Sequence, residues 1–183
     1  MKNQSRKERG FTLVELLIVV AIILVIVAIA VPSYLASVKA AHQTAATGNL
    51  KTMSSSVAAY QSQTRVFPAL AANMGNAENS VTVGSTCAAN EEMKTAVATG
   101  WDAGIVQANY TMLYKAGGTT TTSSLGCAGN TLWEATAVPL DVTSGTAAFC
   151  ADPNGLSQTP SGTAGTPASG AGCQADGYTA SLQ

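Results

Sequence analysis

The N-terminal part of the chain contains one long apolar run. Residues 11–31 contain only two polar side chains, those of Thr12 and Glu15, and Pro32 follows directly. An α-helix needs about 20 apolar residues to cross the hydrocarbon core of a bilayer. The run is rich in β-branched residues, which favour strands in water, but an isolated segment in lipid must satisfy its backbone hydrogen bonds internally. The pattern therefore predicts a membrane-spanning helix over residues 11–31.

Beyond Pro32 the apolar positions become spaced rather than continuous. They recur mostly three or four residues apart, which is the spacing of an amphipathic helix with one buried face. The recurring positions are Leu35, Val38, Ala46, Leu50, Met53, Val57 and Tyr60. The sequence therefore predicts an amphipathic helix over residues 32–64 that packs under a head domain. Pro32 and Gly48 are the places where that helix is expected to bend or melt locally.

Residues 65–183 have the composition of a small globular head. Alternating or β-rich runs occur at residues 108–115, 131–139 and 146–152, separated by glycine-containing turn signals, and they predict three antiparallel strands. Residues 157–172 are rich in Ser, Thr, Gly, Ala and Pro and predict an exposed flexible loop. The predicted fold class is α+β: a long N-terminal helix, membrane-spanning in its first half, packed on a small antiparallel β-sheet head that is stapled by disulfides.

The distribution of charged residues predicts how the helix is oriented in the membrane. The first ten residues contain four basic side chains and one acidic side chain, those of Lys2, Arg6, Lys7, Arg9 and Glu8. Basic residues that flank an apolar span stay in the cytoplasm, so everything after residue 31 is predicted to be exported. The remaining chain has five basic and nine acidic side chains and is mildly acidic. A body without a basic patch offers no electrostatic footprint for a direct nucleic-acid site.

Two ordinary interpretations of this N-terminus fit less well. A secretory signal peptide has an apolar region of about 7–15 residues before a small-residue cleavage site. Residues 28–30 offer such a site, but the apolar run is longer and the helical pattern continues beyond it. A plain signal anchor for an unrelated exported domain fits the length of the run. It does not explain why the carboxylate of Glu15 lies inside the span.

The N-terminal sequence resembles the class III signal of type IV pilins and pilin-like proteins. The resemblance is carried by Gly10, Phe11, Thr12, Leu13, Val14 and Glu15, followed by the apolar run and Pro32. It implies that a prepilin peptidase cuts on the cytoplasmic side between Gly10 and Phe11, and that the same processing methylates the new N-terminus. It also implies that Glu15 is the glutamate that this family keeps at the fifth mature position. Residues 1–10 are then a leader peptide.

The same resemblance implies how the processed chain assembles. Subunits leave the lipid bilayer at an inner-membrane assembly platform and form a homopolymer through their N-terminal helices, with Phe11, Glu15 and Pro32 as the candidate assembly residues. A second and weaker resemblance covers residues 132–155, which are similar to the C-terminal sheet segment of many pilin-like proteins.

Physical chemistry independently indicates that Glu15 requires a partner. A lone carboxylate among aliphatic side chains is costly unless it is paired. Cleavage before Phe11 creates an α-ammonium group four residues away, which Glu15 of a neighbouring subunit can neutralise. Such a pair would set the stagger of the subunits, as a buried polar residue sets the register of a coiled coil. The alternative is local, because Thr12 and Glu15 have the spacing of a helix capping box, and the two roles are compatible.

Four cysteines, Cys87, Cys127, Cys150 and Cys173, lie in the part predicted to be exported, where disulfides form. Four cysteines allow three connectivities. The preferred connectivity is Cys150–Cys173, which would staple residues 157–172 onto the last predicted strand, together with Cys87–Cys127. No metal site is expected, because the sequence has no CxxC pair and its single histidine, His42, lies on the predicted helix.

The head shows no signature of an enzyme. It contains no histidine, and the sequence has no GxSxG elbow, P-loop or dinucleotide fingerprint, so neither catalysis nor a cofactor is expected. The resemblance implies a structural subunit of a type IV pilus, in the adhesion, motility or DNA-uptake class. Such a subunit is held in the bacterial inner membrane before assembly and is extracellular afterwards. One alternative is a pseudopilin of a type II secretion system, which would end in the periplasm. The other is a membrane-anchored exported binding module.

Overall fold

A computed structural model describes residues 11–70, 100–124, 128–159 and 165–182. The predicted leader with Gly10, and the cysteines Cys87 and Cys127, lie outside the described residues. The chain divides into two compact units, residues 1–38 and residues 39–183.

One helix, α1, begins at Leu13 and ends at Thr64. It is helical through both Pro32 and Gly48, so neither position interrupts it. The helix ends where Arg65 adopts a left-handed backbone conformation with φ of 67°. The N–H of Arg65 donates to the Gln61 carbonyl at 2.8 Å, which satisfies one of the free carbonyl groups of the last turn.

Within the second unit, α1 buries one face. The buried side chains are Ala46, Leu50, Met53, Ser56, Val57, Tyr60 and Thr64. Apart from the adjacent pair Ser56 and Val57, they recur three or four residues apart, so they line one stripe of the helix. The predicted apolar face is therefore confirmed from Ala46 to Tyr60. The prediction is wrong for Leu35, which belongs to the first unit and is 53% exposed.

The head contains one sheet of six strands, each antiparallel to the next strand in the chain. The strands are β1 Ile105–Gln107, β2 Tyr110–Thr122, β3 Ala128–Pro139, β4 Phe149–Asp152, β5 Gly155–Gln158 and β6 Ala180–Leu182. A long apolar N-terminal helix and an antiparallel sheet confirm the predicted α+β fold class.

The predicted number of strands is wrong. The three predicted strands overlap β2, β3 and β4, whereas β1, β5 and β6 have only three or four residues each, too few to show an alternating pattern. The first predicted strand also began too early. Ala108 and Asn109 have φ of 50° and 60°, and they form the two-residue turn of the β1–β2 hairpin.

The main core lies between the buried stripe of α1 and one face of the sheet. Alternate residues of β2 point into it, and they are Tyr110, Met112 and Tyr114. The ring of Tyr114 stacks on that of Trp133, with centroids 6.3 Å apart. Large aromatic side chains of this kind bury more apolar area per residue than the alanines beside them.

The opposite face of the sheet is covered by residues 165–178, here named the C-terminal strap. The face is opposite because Glu134 and Thr136, which contact the strap, alternate along β3 with the core residues Trp133 and Ala135. A small second core forms there, made of Ala148, Cys150, Cys173 and Tyr178.

The predicted exposed loop over residues 157–172 is wrong at several positions. Ser157 and Gln158 belong to β5, and Thr159 and Ala168 are buried. A composition rich in small residues is consistent with a loop, but small side chains also allow a backbone to lie close to a sheet. Gly170 shows this, because a Cβ on Gly117 of β2 would lie 1.8 Å from its carbonyl oxygen.

Candidate functional site

The first turn of α1 brings together two of the residues singled out from the sequence. The Glu15 carboxylate accepts the Thr12 backbone N–H at 3.0 Å and the Thr12 hydroxyl at 2.8 Å. In return, the Glu15 backbone N–H donates to the Thr12 hydroxyl at 3.3 Å. This is a reciprocal capping box, which satisfies two of the free N–H groups at the start of a helix. The local alternative for Glu15 is therefore present in the structure.

The described residues of the first unit form an uncovered apolar surface. Its large apolar side chains between Phe11 and Leu35 are 45 to 86% exposed. The helix contains an 18-residue window with a mean hydropathy of 3.4 that has no buried share. A soluble monomer rarely exposes an apolar patch of more than a few hundred Å², so this surface requires lipid or protein around it. Its length and composition are sufficient to cross a membrane.

The other predicted site residues have different positions. Phe11 lies two residues before the start of α1 and is 86% exposed, and Pro32 lies within the helix. Gly10 lies outside the described residues, so the predicted cleavage between Gly10 and Phe11 stays a prediction. The pairing of Glu15 with an α-ammonium group of a neighbouring copy involves two chains, and it stays a prediction.

The predicted disulfide between Cys150 and Cys173 is confirmed. It joins β4 to the C-terminal strap across 23 positions of sequence. The predicted Cys87–Cys127 pair lies outside the described residues. In the described part of the chain, no group of three or more His, Cys, Asp or Glu side chains is placed to hold a metal ion.

Sequence reasoning missed a buried acid on the head. Glu134 of β3 is fully buried, and its two carboxylate oxygens accept the backbone N–H groups of Ser169 and Gly172 at 2.5 and 2.6 Å. Burial raises the pKa of Glu134, and the neighbouring carboxyl of Asp176 raises it further. One signal was available: Glu134 is an acid inside the apolar run of a predicted strand. Alternation would place it on solvent, and only the strap makes it buried.

Comparison with known families gives one match. The prokaryotic N-terminal methylation motif, which is the type IV pilin or prepilin signal, matches residues 5–31. No curated protein and no solved structure matches the chain. The matched residues contain the predicted cleavage site, Thr12, Glu15 and the exposed apolar run. Such a signal implies processing by a prepilin peptidase and pilin assembly, and an apolar helix next to it fits membrane anchoring. The chain therefore carries the N-terminal methylation signal of type IV pilins and prepilins, and this signal supports a type IV pilin-like or pseudopilin protein.

Proposed function

We propose that this protein is a structural, non-enzymatic subunit of a type IV pilus. It is inserted in the bacterial inner membrane, cut between Gly10 and Phe11, methylated on Phe11 and polymerised through its N-terminal helix. The observation that carries this proposal is the combination of a methylation motif with an apolar helix whose side chains are uncovered. The motif directs processing, and the apolar surface of the helix must be covered. Together they support a subunit whose helix is surrounded first by lipid and later by the helices of other copies.

Membrane insertion is energetically favourable despite Glu15. The sixteen Phe, Leu, Ile and Val residues in 11–31 contribute about 0.3–0.6 kcal/mol each, whereas one carboxylate costs at most about 3 kcal/mol at mid-bilayer. Glu15 also lies in the first turn of α1, close to the flank that is predicted to be cytoplasmic. Its capping bonds with Thr12 satisfy part of its hydrogen-bonding capacity within the same turn.

Assembly then requires more than apolarity. Lipid tails are as apolar as the helix, so helices gain little hydrophobic free energy when they leave lipid for one another, and packing and polar pairs decide the outcome. The mature chain would have a new charged amine at Phe11, and Glu15 lies four residues after Phe11 in the sequence. Attraction between Glu15 and the amine of a neighbour would select one axial stagger among many that are equally apolar.

The test is the state of the protein on cells. Filaments should be sheared from the surface and purified, and the intact mass of the subunit should be measured before and after reduction. We expect the mass of residues 11–183 plus one methyl group, with the loss of two hydrogens for each disulfide. A Gly10→Val variant is the matched control, because a branched side chain at the cleavage position should leave the chain uncut and absent from filaments.

The other outcomes separate the alternatives. Processed protein that is found only in the periplasm with a secretion apparatus would assign the pseudopilin role instead. An uncut N-terminus together with specific glycan binding would assign an anchored binding module. Exported protein that starts at Met1 or at Val31 would contradict prepilin processing altogether.

A further inference from the structure

The C-terminal strap has no helix or strand between residues 165 and 179, so its backbone groups must find partners elsewhere. Three of its N–H groups donate to side chains of β3. Ala168 donates to the Thr136 hydroxyl at 3.0 Å, and Ser169 and Gly172 donate to the two oxygens of the Glu134 carboxyl. One side chain of the sheet therefore holds two strap amides, and Glu134 is the main polar attachment point.

The strap brings a second carboxyl to the same place. Asp176 accepts the Ser169 N–H at 3.0 Å on one oxygen and the Ser169 hydroxyl at 2.7 Å on the other. The Ser169 N–H is thus shared between Glu134 and Asp176, which brings the two carboxyl groups close together. Two carboxylates at such a separation repel strongly when both are ionised, so a proton between them is favourable.

We propose that Glu134 is protonated where it lies beside Asp176, and that this proton is a latch that holds the C-terminal strap on the sheet and releases it when Glu134 ionises. The two acids come from separate parts of the chain, one from the sheet and one from the strap. Repulsion between them therefore acts directly to lift the strap.

The direction of the pH dependence follows from the surroundings of Glu134. Burial raises its pKa above the ordinary value of 4.5, the hydrogen bond and charge of Asp176 raise it further, and the amides of Gly172 and Gly170 only partly offset this. A carboxyl whose pKa is raised by folding stabilises the folded state fully below its ordinary pKa. That contribution is lost as the pH rises through the raised pKa. The latch is thus closed in acid and opens towards alkaline pH.

Three other ionisable groups lie near Glu134, and they do not reverse that direction. Lys115 of β2 is the register partner of Glu134, but its side chain is exposed to solvent, where its charge is screened. Burial, with Asp176 and Glu134 nearby, raises the pKa of the Tyr178 hydroxyl well above 10, so it stays neutral over the relevant pH range. Asp152 of β4 approaches the strap through the Cys173 N–H at 3.4 Å, and it adds negative charge rather than neutralising any.

Opening of the latch is expected to be local. The disulfide between Cys150 and Cys173 ties the strap covalently to β4, and the Tyr178 hydroxyl donates to the Thr166 carbonyl at 2.5 Å within the strap. The main core lies on the other face of the sheet and contains neither acid of the pair. Ionisation should therefore free strap amides without unfolding the head.

Hydrogen exchange of the full chain in detergent micelles tests this inference. Exchange of peptides from residues 165–178 is measured between pH 4.5 and 8.5 and corrected for the intrinsic rate. We expect exchange in the wild type to accelerate above the raised pKa of Glu134 by up to about tenfold per pH unit, since one proton is released on opening. Core peptides from β2 should show no such acceleration.

Substitutions identify the groups responsible. In Asp176→Asn the amide can donate to an ionised Glu134, so the acceleration should disappear. Glu134→Gln should remove it as well, at lower overall protection, because one strap amide loses its acceptor. Asp141→Asn is the control and should keep the wild-type slope, because its carboxylate bonds to Thr143 and Ser144 within its own turn.

A flat wild-type profile would overturn the proposal. A wild-type slope that persists in both Asp176→Asn and Glu134→Gln would overturn it too. If Asp176→Asn fails to dock its strap at any pH, the slope of Glu134→Gln decides, because that variant retains Asp176.

Discussion

Thr12 and Glu15 hydrogen-bond to each other reciprocally in the first turn of α1. The bonds form within one chain, so the carboxylate is partly satisfied without a neighbouring subunit. The predicted role in assembly is therefore additional to this local role, and the two can be separated by substitution.

The first prediction separates these roles. Glu15→Ala should be inserted and trimmed but excluded from filaments, because it lacks the charge that would pair with the mature amine. Thr12→Val is the matched variant. It removes the capping hydroxyl, at a cost of about 1 kcal/mol, but it keeps the carboxylate. Filament yield and N-terminal mass report the two steps, and we expect Thr12→Val to assemble. Normal filament yield from Glu15→Ala would remove the pairing mechanism, and equal failure of both variants would assign Glu15 to capping.

The second prediction concerns two buried tyrosines of the main core. The Tyr114 hydroxyl donates to the Pro68 carbonyl at 2.6 Å, whereas the Tyr60 hydroxyl is buried without a hydrogen-bond partner in the described part of the chain. Tyr60→Phe should therefore be neutral or stabilise by up to about 1 kcal/mol, and Tyr114→Phe should destabilise by about 1–2 kcal/mol. Chemical denaturation of the full chain in micelles gives both values. A large loss in Tyr60→Phe would show that its hydroxyl is satisfied after all.

The third prediction compares two glycines. A Cβ on Gly48 of α1 would meet nothing within 4 Å, and alanine is the better helix former, so Gly48→Ala should stabilise by about 0.5–1 kcal/mol. The same change at Gly117 would push a methyl group against the Gly170 carbonyl, and should destabilise by about 1–3 kcal/mol. Melting temperatures of the two variants should move in opposite directions. Equal shifts would mean that the strap does not lie against β2.

The fourth prediction concerns the disulfide between Cys150 and Cys173. Replacing both residues by alanine removes a cross-link over 23 positions of sequence and should destabilise the head by about 3 kcal/mol, chiefly through the entropy of the unfolded chain. The main core lies on the other face of the sheet, so far-ultraviolet circular dichroism should still show the helix and the sheet. Unfolding midpoints of the variant and the oxidised wild type measure the difference. An unchanged midpoint would show that the bond contributes nothing.

The fifth prediction concerns Asp141 in the turn after β3. Hydrogen bonds from the side chains of Thr143 and Ser144 and from the Ser144 amide lower the pKa of Asp141 to about 2. A lowered pKa means that this carboxylate stabilises the turn above its ordinary value of 3.8, and that the contribution is lost as the pH falls towards 2. Carboxyl NMR titration should show this midpoint, and Thr143→Val should raise it. A midpoint near 3.8 in the wild type would mean that the turn is not formed in solution.

The apolar helix, its N-terminal signal and its capping box could be predicted from local sequence. An apolar run of bilayer length has few alternatives to a helix, and the Thr12–Glu15 spacing makes a capping box possible wherever a helix starts there. The buried stripe of α1 from Ala46 to Tyr60 was likewise readable from spacing alone, because a helix repeats every 3.6 residues whatever it packs against.

Some features depend on partners that are distant in sequence. The strands β1, β5 and β6 are too short to have a pattern of their own, and they exist because a neighbouring strand supplies hydrogen bonds. Segment 157–172 has a loop composition, yet part of it pairs in the sheet and part of it is held by side chains of β3.

The sequence by itself determined the apolar helix, its processing signal and the face by which the helix enters the head, because each is a short-range property of consecutive residues. Only the tertiary structure decided that Glu134 is buried beside Asp176 and that the C-terminal strap covers it. The physical reason is that alternation along a strand specifies two faces but does not specify what lies on each one. A carboxyl that would be an ordinary surface acid in an open sheet becomes a buried, protonatable group when a strap with free amides lies over it.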